Sequence, residues 1–136
     1  METSVNNKCK AFTSLEQSKK LAEFLPIESS DMYYHNRSNI PDNYPLPIEW
    51  KHNNPLLSQE IPCWSLAALY SILPNNKKET TTLSRGGWKI EPIEYLDNWW
   101  CEYEDESHTK DFTVSADNAI DACVEMIIKL HERKIL

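Results

Sequence analysis

The residue in this chain best equipped for chemistry is Cys63. The segment Pro62-Cys63-Trp64-Ser65-Leu66-Ala67-Ala68-Leu69 sets a proline and a cysteine at the expected start of an apolar helix. A thiol at a helix N-terminus can be held as a thiolate and act as a nucleophile, whereas the same thiol packed among apolar side chains is inert. Spacing alone places no base beside it, so a structural core cysteine is the default reading.

Two further groups invite a functional reading. Glu102, Glu104, Asp105 and Glu106 form an acidic run that can hold a cation or meet a basic partner, although such runs are ordinarily solvated faces. Trp99 and Trp100 precede it in a stretch of period two, which points their rings to opposite faces. One ring then belongs to the core, and the other is either covered by the 29–62 region or stands out as an anchor for a partner. Trp100, Glu102, Glu104, Asp105 and Glu106 are therefore the candidate binding residues.

Several chemistries are excluded. Zinc-dependent nucleoside deamination needs a second cysteine shortly after Pro-Cys, and Pro62-Cys63 is followed by Ser65 and Leu66 instead. Gly86 and Gly87 are the only glycines, too few for a phosphate-cradling loop. Cys9, Cys63, Cys101 and Cys123 lack the close pairwise spacing of zinc ligands, so neither a metal nor a cofactor is expected. A net charge of −7 argues against nucleic-acid binding, which needs clustered Lys and Arg. No run approaches the ~20 apolar residues of a membrane span, and Met1-Glu2-Thr3-Ser4-Val5-Asn6-Asn7-Lys8 lacks the apolar core of a signal peptide. The expectation is a cytoplasmic protein, away from membranes, with reduced thiols.

The elements that must position these residues follow from periodicity. A length of 136 residues predicts a flexible N-terminus over 1–12 and a single α+β domain over 13–136. Thr13 with Glu16, or Ser14 with Gln17, offers a capping box for a helix carrying Leu15, Leu21, Ala22 and Leu25 and stopping before Pro26. Five prolines between 29 and 62 predict a long irregular loop with short extended pieces, made apolar enough to wrap on the core by Tyr33, Tyr34, Tyr44, Leu46, Ile48 and Trp50. Residues 63–73 read as a central buried helix, and Gly86-Gly87 as a tight bend. Alternation then predicts strands around Trp88–Ile90, Trp99–Tyr103 and Phe112–Val114, the last two forming a hairpin across Asp105-Glu106-Ser107. A C-terminal helix capped by Ser115 lays Ala116, Ala119, Ile120, Cys123, Ile127 and Leu130 on one stripe, with Asp117, Asp121, Glu125 and Lys129 opposite. The fold class is thus three helices packed on a small antiparallel sheet of about three strands, with a long loop wrapped on the core.

Leu15-Glu16-Gln17-Ser18-Lys19-Lys20-Leu21, Leu25-Pro26-Ile27-Glu28-Ser29-Ser30-Asp31-Met32, the segment from Pro62 to Leu69, and Asp121-Ala122-Cys123-Val124-Glu125-Met126-Ile127-Ile128-Lys129-Leu130-His131 together resemble a group of short proteins of gut Bacteroides-type bacteria and their phages or mobile elements. That group has no assigned activity. The resemblance implies source and architecture and carries over no catalytic residue.

A second resemblance concerns Cys63. Papain-like peptidases and small cysteine amidases place a cysteine at the start of a buried helix, often followed by Trp, and draw a histidine from a later strand. Cys63-Trp64 and His108 are similar in order, which implies thiolate attack on an acyl carbon with His108 as base. The chain departs from that pattern: Gln59 stands four residues before Cys63 rather than six, and the chain is far shorter. The expectation is a small soluble non-catalytic interaction or accessory protein with an unknown protein partner. A cysteine hydrolase using Cys63 and His108 is the alternative.

Overall fold

The structure is a computed structural model and describes residues 10–35, 45–51, 54–57, 59–86 and 98–136. The expected strand at Trp88–Ile90, together with Gly87, Tyr44 and Cys9, lies outside the described residues. The fold is α+β, and the described residues form three α-helices and two antiparallel three-stranded sheets rather than one. The described residues gather in two compact units, 11–70 and 71–136 with Lys10, and the boundary falls within the second helix.

In the unit of residues 11–70, helix α1 (Leu15–Ala22) is started by Ser14. The Ser14 hydroxyl accepts the Gln17 N–H, and the Gln17 side chain accepts the Ser14 N–H in return, so one of the two expected capping boxes is realised. The rival, Thr13, is fully buried and does something else, described below. The region expected to be an irregular loop contains three very short strands: β1 (Met32–Tyr34), β2 (Leu46–Pro47) and β3 (Ile61–Cys63), in the order β2-β1-β3. Pro62 opposes Tyr33 in the ladder. It is tolerated because β3 pairs with β1 alone in this sheet, and an edge strand can leave a position without a donor. Helix α1 packs on β3, and Leu21, Tyr33, Tyr34, Cys63, Trp64 and Leu69 are buried here.

Helix α2 (Leu66–Ile72) is shorter than the expected 63–73 helix and buried on one side only, with Tyr70 43% exposed. Its first turn is set by Ser65, whose hydroxyl accepts the Ala68 N–H. Pro62 and Cys63 are therefore not helix residues. They extend as strand because β1 offers them partners that a helix start would forfeit.

In the other unit, β4 (Glu79–Arg85), β5 (Trp99–Asp105) and β6 (Phe112–Ala116) form an antiparallel sheet with β5 in the centre. The expected β5–β6 hairpin is present, with Tyr103 opposite Phe112 and Cys101 opposite Val114. Strand β4 shows no apolar period because Thr80, Thr82 and Ser84 face solvent and its inward side carries Glu79 and Thr81 beside Leu83. Gly86 donates its N–H to the Asn98 carbonyl at 2.9 Å, continuing the β4–β5 pairing by one step.

Helix α3 (Ala119–Glu132) covers one face of this sheet, and Ile120, Cys123, Met126, Ile127 and Leu130 are wholly buried. Its N-cap is Asn118 rather than Ser115, because β6 continues through Ala116 and holds Ser115 opposite Trp100. Asn118 accepts the Asp121 N–H at 2.7 Å and donates its amide to the Asp121 carboxylate at 2.9 Å. The same carboxylate pairs with Lys10 at 2.8 Å, so part of the stretch expected to fray is tied down. No helix among the described residues is long and apolar enough to cross a membrane.

Candidate functional site

Cys63 ends β3 with its side chain fully buried. Thr13 surrounds it. The Thr13 hydroxyl donates to the Cys63 sulfur at 3.4 Å, accepts the Trp64 N–H at 3.1 Å and lies 2.7 Å from the Ser18 hydroxyl. With its single proton directed to sulfur, Thr13 must accept from Ser18. The Thr13 carbonyl receives the Tyr34 hydroxyl at 2.7 Å and the Cys63 thiol at 3.5 Å. Burial pushes the Cys63 thiol up, outweighing the Thr13 hydrogen bond and the nearby Ser18 and Tyr34 hydroxyls, all of which favour the thiolate. A nucleophile at neutral pH needs the opposite shift.

The rest of the motif is equally engaged. The Trp64 indole N–H donates to Ser29 at 2.9 Å, and the Ser65 N–H and hydroxyl both donate to the Asp31 carboxylate. The Pro62–Ser65 segment is thus a structural knot.

His108 belongs to the other unit, at the tip of the β5–β6 hairpin. Its Nδ1 lies 2.9 Å from the Asp111 carboxylate, which favours the imidazolium and holds the His108 pKa above the usual histidine value. Cys63 and His108 each find these partners within their own unit.

Asp105 organises the hairpin tip. Its carboxylate accepts the Ser107 hydroxyl at 2.7 Å and the Lys110 N–H at 3.2 Å, and these bonds hold its pKa down at about 2. Asp111 accepts the Asp105 N–H in turn, while His108 adopts φ 59°. Glu104, His108 and Asp111 each bring one donor atom within 4.8 Å of the others. A cation there would have to displace the His108–Asp111 pair from an exposed turn. Beside the tip runs an open cleft of about 560 Å³, where Lys78, Lys110 and Lys134 face Glu79, Asp105 and Glu106. The tip is therefore balanced in charge, and Asp105 is spent on the turn itself.

The remaining candidates come together elsewhere. Alternation along β5 sends Cys101 and Tyr103 into the core against α3 and sets Trp100, Glu102 and Glu104 on the opposite face. Trp99 and Trp100 are both half-buried; neither ring is the deep core residue that one of them was expected to be, since Cys101 and Tyr103 fill that place. Sequence reading missed what flanks this row. Trp100 lies between Ser84 and Ser115, Glu102 between Thr82 and Thr113, and Glu104 beside Thr80. All five of these flanking hydroxyl residues are exposed, as is Glu102. The signal available was the run Thr80-Thr81-Thr82, β-branched residues preceding the glycines.

No protein-family model, curated protein or solved structure matches the chain.

Proposed function

We propose that this chain is a small soluble, non-catalytic binding module that acts through the outer face of the β4–β5–β6 sheet. The observation that carries the reading is the single row Trp100, Glu102 and Glu104, flanked on both sides by short hydroxyl side chains. A central aromatic anchors, two carboxylates select by charge, and Thr and Ser keep the surroundings low enough for close approach. The partner is a protein segment presenting basic and apolar groups together. The lysines beside the hairpin tip move the weight of this reading from Asp105 and Glu106 to Glu102 and Glu104. The resemblance to short proteins of Bacteroides-type bacteria and their mobile elements supports a cytoplasmic accessory role in such a host.

The test is capture from a Bacteroides lysate by wild type and by a Trp100→Ala, Glu104→Ala double variant. Wild type should retain a basic partner that the double variant loses. Retention should weaken with salt without vanishing, because aromatic burial is not screened. Identical captures by both proteins would remove this face from consideration.

A further inference from the structure

Cys101 and Cys123 are both free and both fully buried. Cys101 projects from β5 toward the helix that covers it, and Cys123 lies on the buried stripe of α3, the element packed on β5. Across that seam the two thiols lie near enough for each to act on the ionisation of the other. Neither thiol is needed for the binding face, which lies on the other side of the sheet. We infer that Cys101 and Cys123 are an oxidisable pair that closes into a disulfide, tying α3 to the central strand.

The oxidant is a peroxide, small enough to reach the core through local opening. The neighbouring Cys101 thiol favours the Cys123 thiolate, while Cys101 itself is held protonated, so Cys123 is the attacking sulfur. Its sulfur takes one peroxide oxygen and becomes sulfenic acid, with hydroxide leaving. The Cys101 thiol then gives its proton to that hydroxide, its sulfur attacks the sulfenic sulfur and displaces a second hydroxide, and this takes up the proton that Cys123 released on ionising. In sum, two thiols and one peroxide give one disulfide and two waters; the sulfurs lose two electrons and the peroxide gains them. The link would restrain the helix that covers the binding sheet, adding a chain constraint the reduced protein lacks.

The test begins with wild-type protein treated with hydrogen peroxide, both in buffer and in urea below the unfolding transition, where local opening admits the reagent. It is then alkylated after denaturation and digested without reductant. The Cys101 and Cys123 peptides should be recovered as one species that separates on reduction, with the intact mass lower by two hydrogens and Cys63 still alkylated. Recovery of the two as separate peptides under both conditions, or linkage of either to Cys63, overturns the pair. A Cys101→Ala variant should trap Cys123 as a dimedone-reactive sulfenic acid; if that variant does not fold, the wild-type map stands by itself. Amides of α3 should exchange more slowly in the oxidised protein. Unchanged exchange in a linked sample overturns the restraint on the helix.

Discussion

Thr13 grips Cys63 twice, giving a proton to its sulfur through the side chain at 3.4 Å and taking one from it through the carbonyl at 3.5 Å. Thr13 also accepts from Trp64 and Tyr34, so every polar group of this fully buried residue is used, its own N–H donating to the Trp64 carbonyl. Thr13→Val keeps the shape and removes the hydroxyl, leaving the Trp64 N–H and the Ser18 hydroxyl with a partner missing. The expected cost is about 2–3 kcal/mol, read as a lower urea midpoint with an unchanged slope.

Cys63 itself should be unreactive. In the native protein at neutral pH, iodoacetamide should label it far more slowly than a free thiol, and labelling should accelerate only on unfolding. Rapid native labelling would return Cys63 to consideration as a nucleophile.

Ile120→Asp and Ile127→Asp should each abolish folding. Both side chains are wholly buried in the α3 seam, and an unpaired carboxylate there costs more than about 4 kcal/mol. Asp121, on the solvent side by periodicity alone, is not silent. It closes the cap with Asn118 and pairs with Lys10, so Asp121→Ala should cost about 1 kcal/mol by thermal or urea unfolding.

The hairpin tip should titrate with opposite signs at its two ends. Asp111 raises the His108 pKa above the ordinary 6.5, so this pair favours the folded state below that value and the benefit fades as pH rises through the raised folded value. Asp105 is depressed to about 2, so its contribution is complete above the ordinary carboxylate range and fades as pH falls toward 2. An NMR titration of His108 should give a pKa above 6.5 in the wild type and a lower one in Asp111→Asn.

Tyr103 is buried and donates its hydroxyl to Glu79 at 2.7 Å; burial first, then that bond, push its phenol up to about 12. Stability from this group is present below the ordinary value near 10 and is lost as pH rises through 12. Tyr103→Phe should remove about 1 kcal/mol at neutral pH and one phenol from the late titration followed by ultraviolet absorbance, leaving that of Tyr34, which burial pushes up further.

What could be read from the sequence was what is local. The Ile120–Leu130 stripe, the β5–β6 hairpin and the Ser14–Gln17 box each repeat within a few residues, and side-chain period reveals them. Strands β1, β2 and β3, two or three residues long and set among prolines, give no period to detect. Sequence alone puts the cap of α3 at Ser115 instead of Asn118, because both residues cap well and only the β6 ladder decides between them. The candidate row Trp100, Glu102 and Glu104 was legible from alternation, but its hydroxyl flanks required knowing that β4 pairs with β5. The apparent nucleophile was the largest misdirection: the partners that bury Cys63 include Thr13, fifty positions away, and no local pattern announces them.

That distance also orders events during synthesis. The Thr13 N–H and hydroxyl find their backbone partners in Trp64, so a growing chain that has not yet reached Trp64 leaves them to water. Helix α1 can form as soon as its own cap is made, but it cannot be seated. The seating of α1 therefore waits on a contact some fifty positions further along the chain, a long loop to close before its two ends can hold each other.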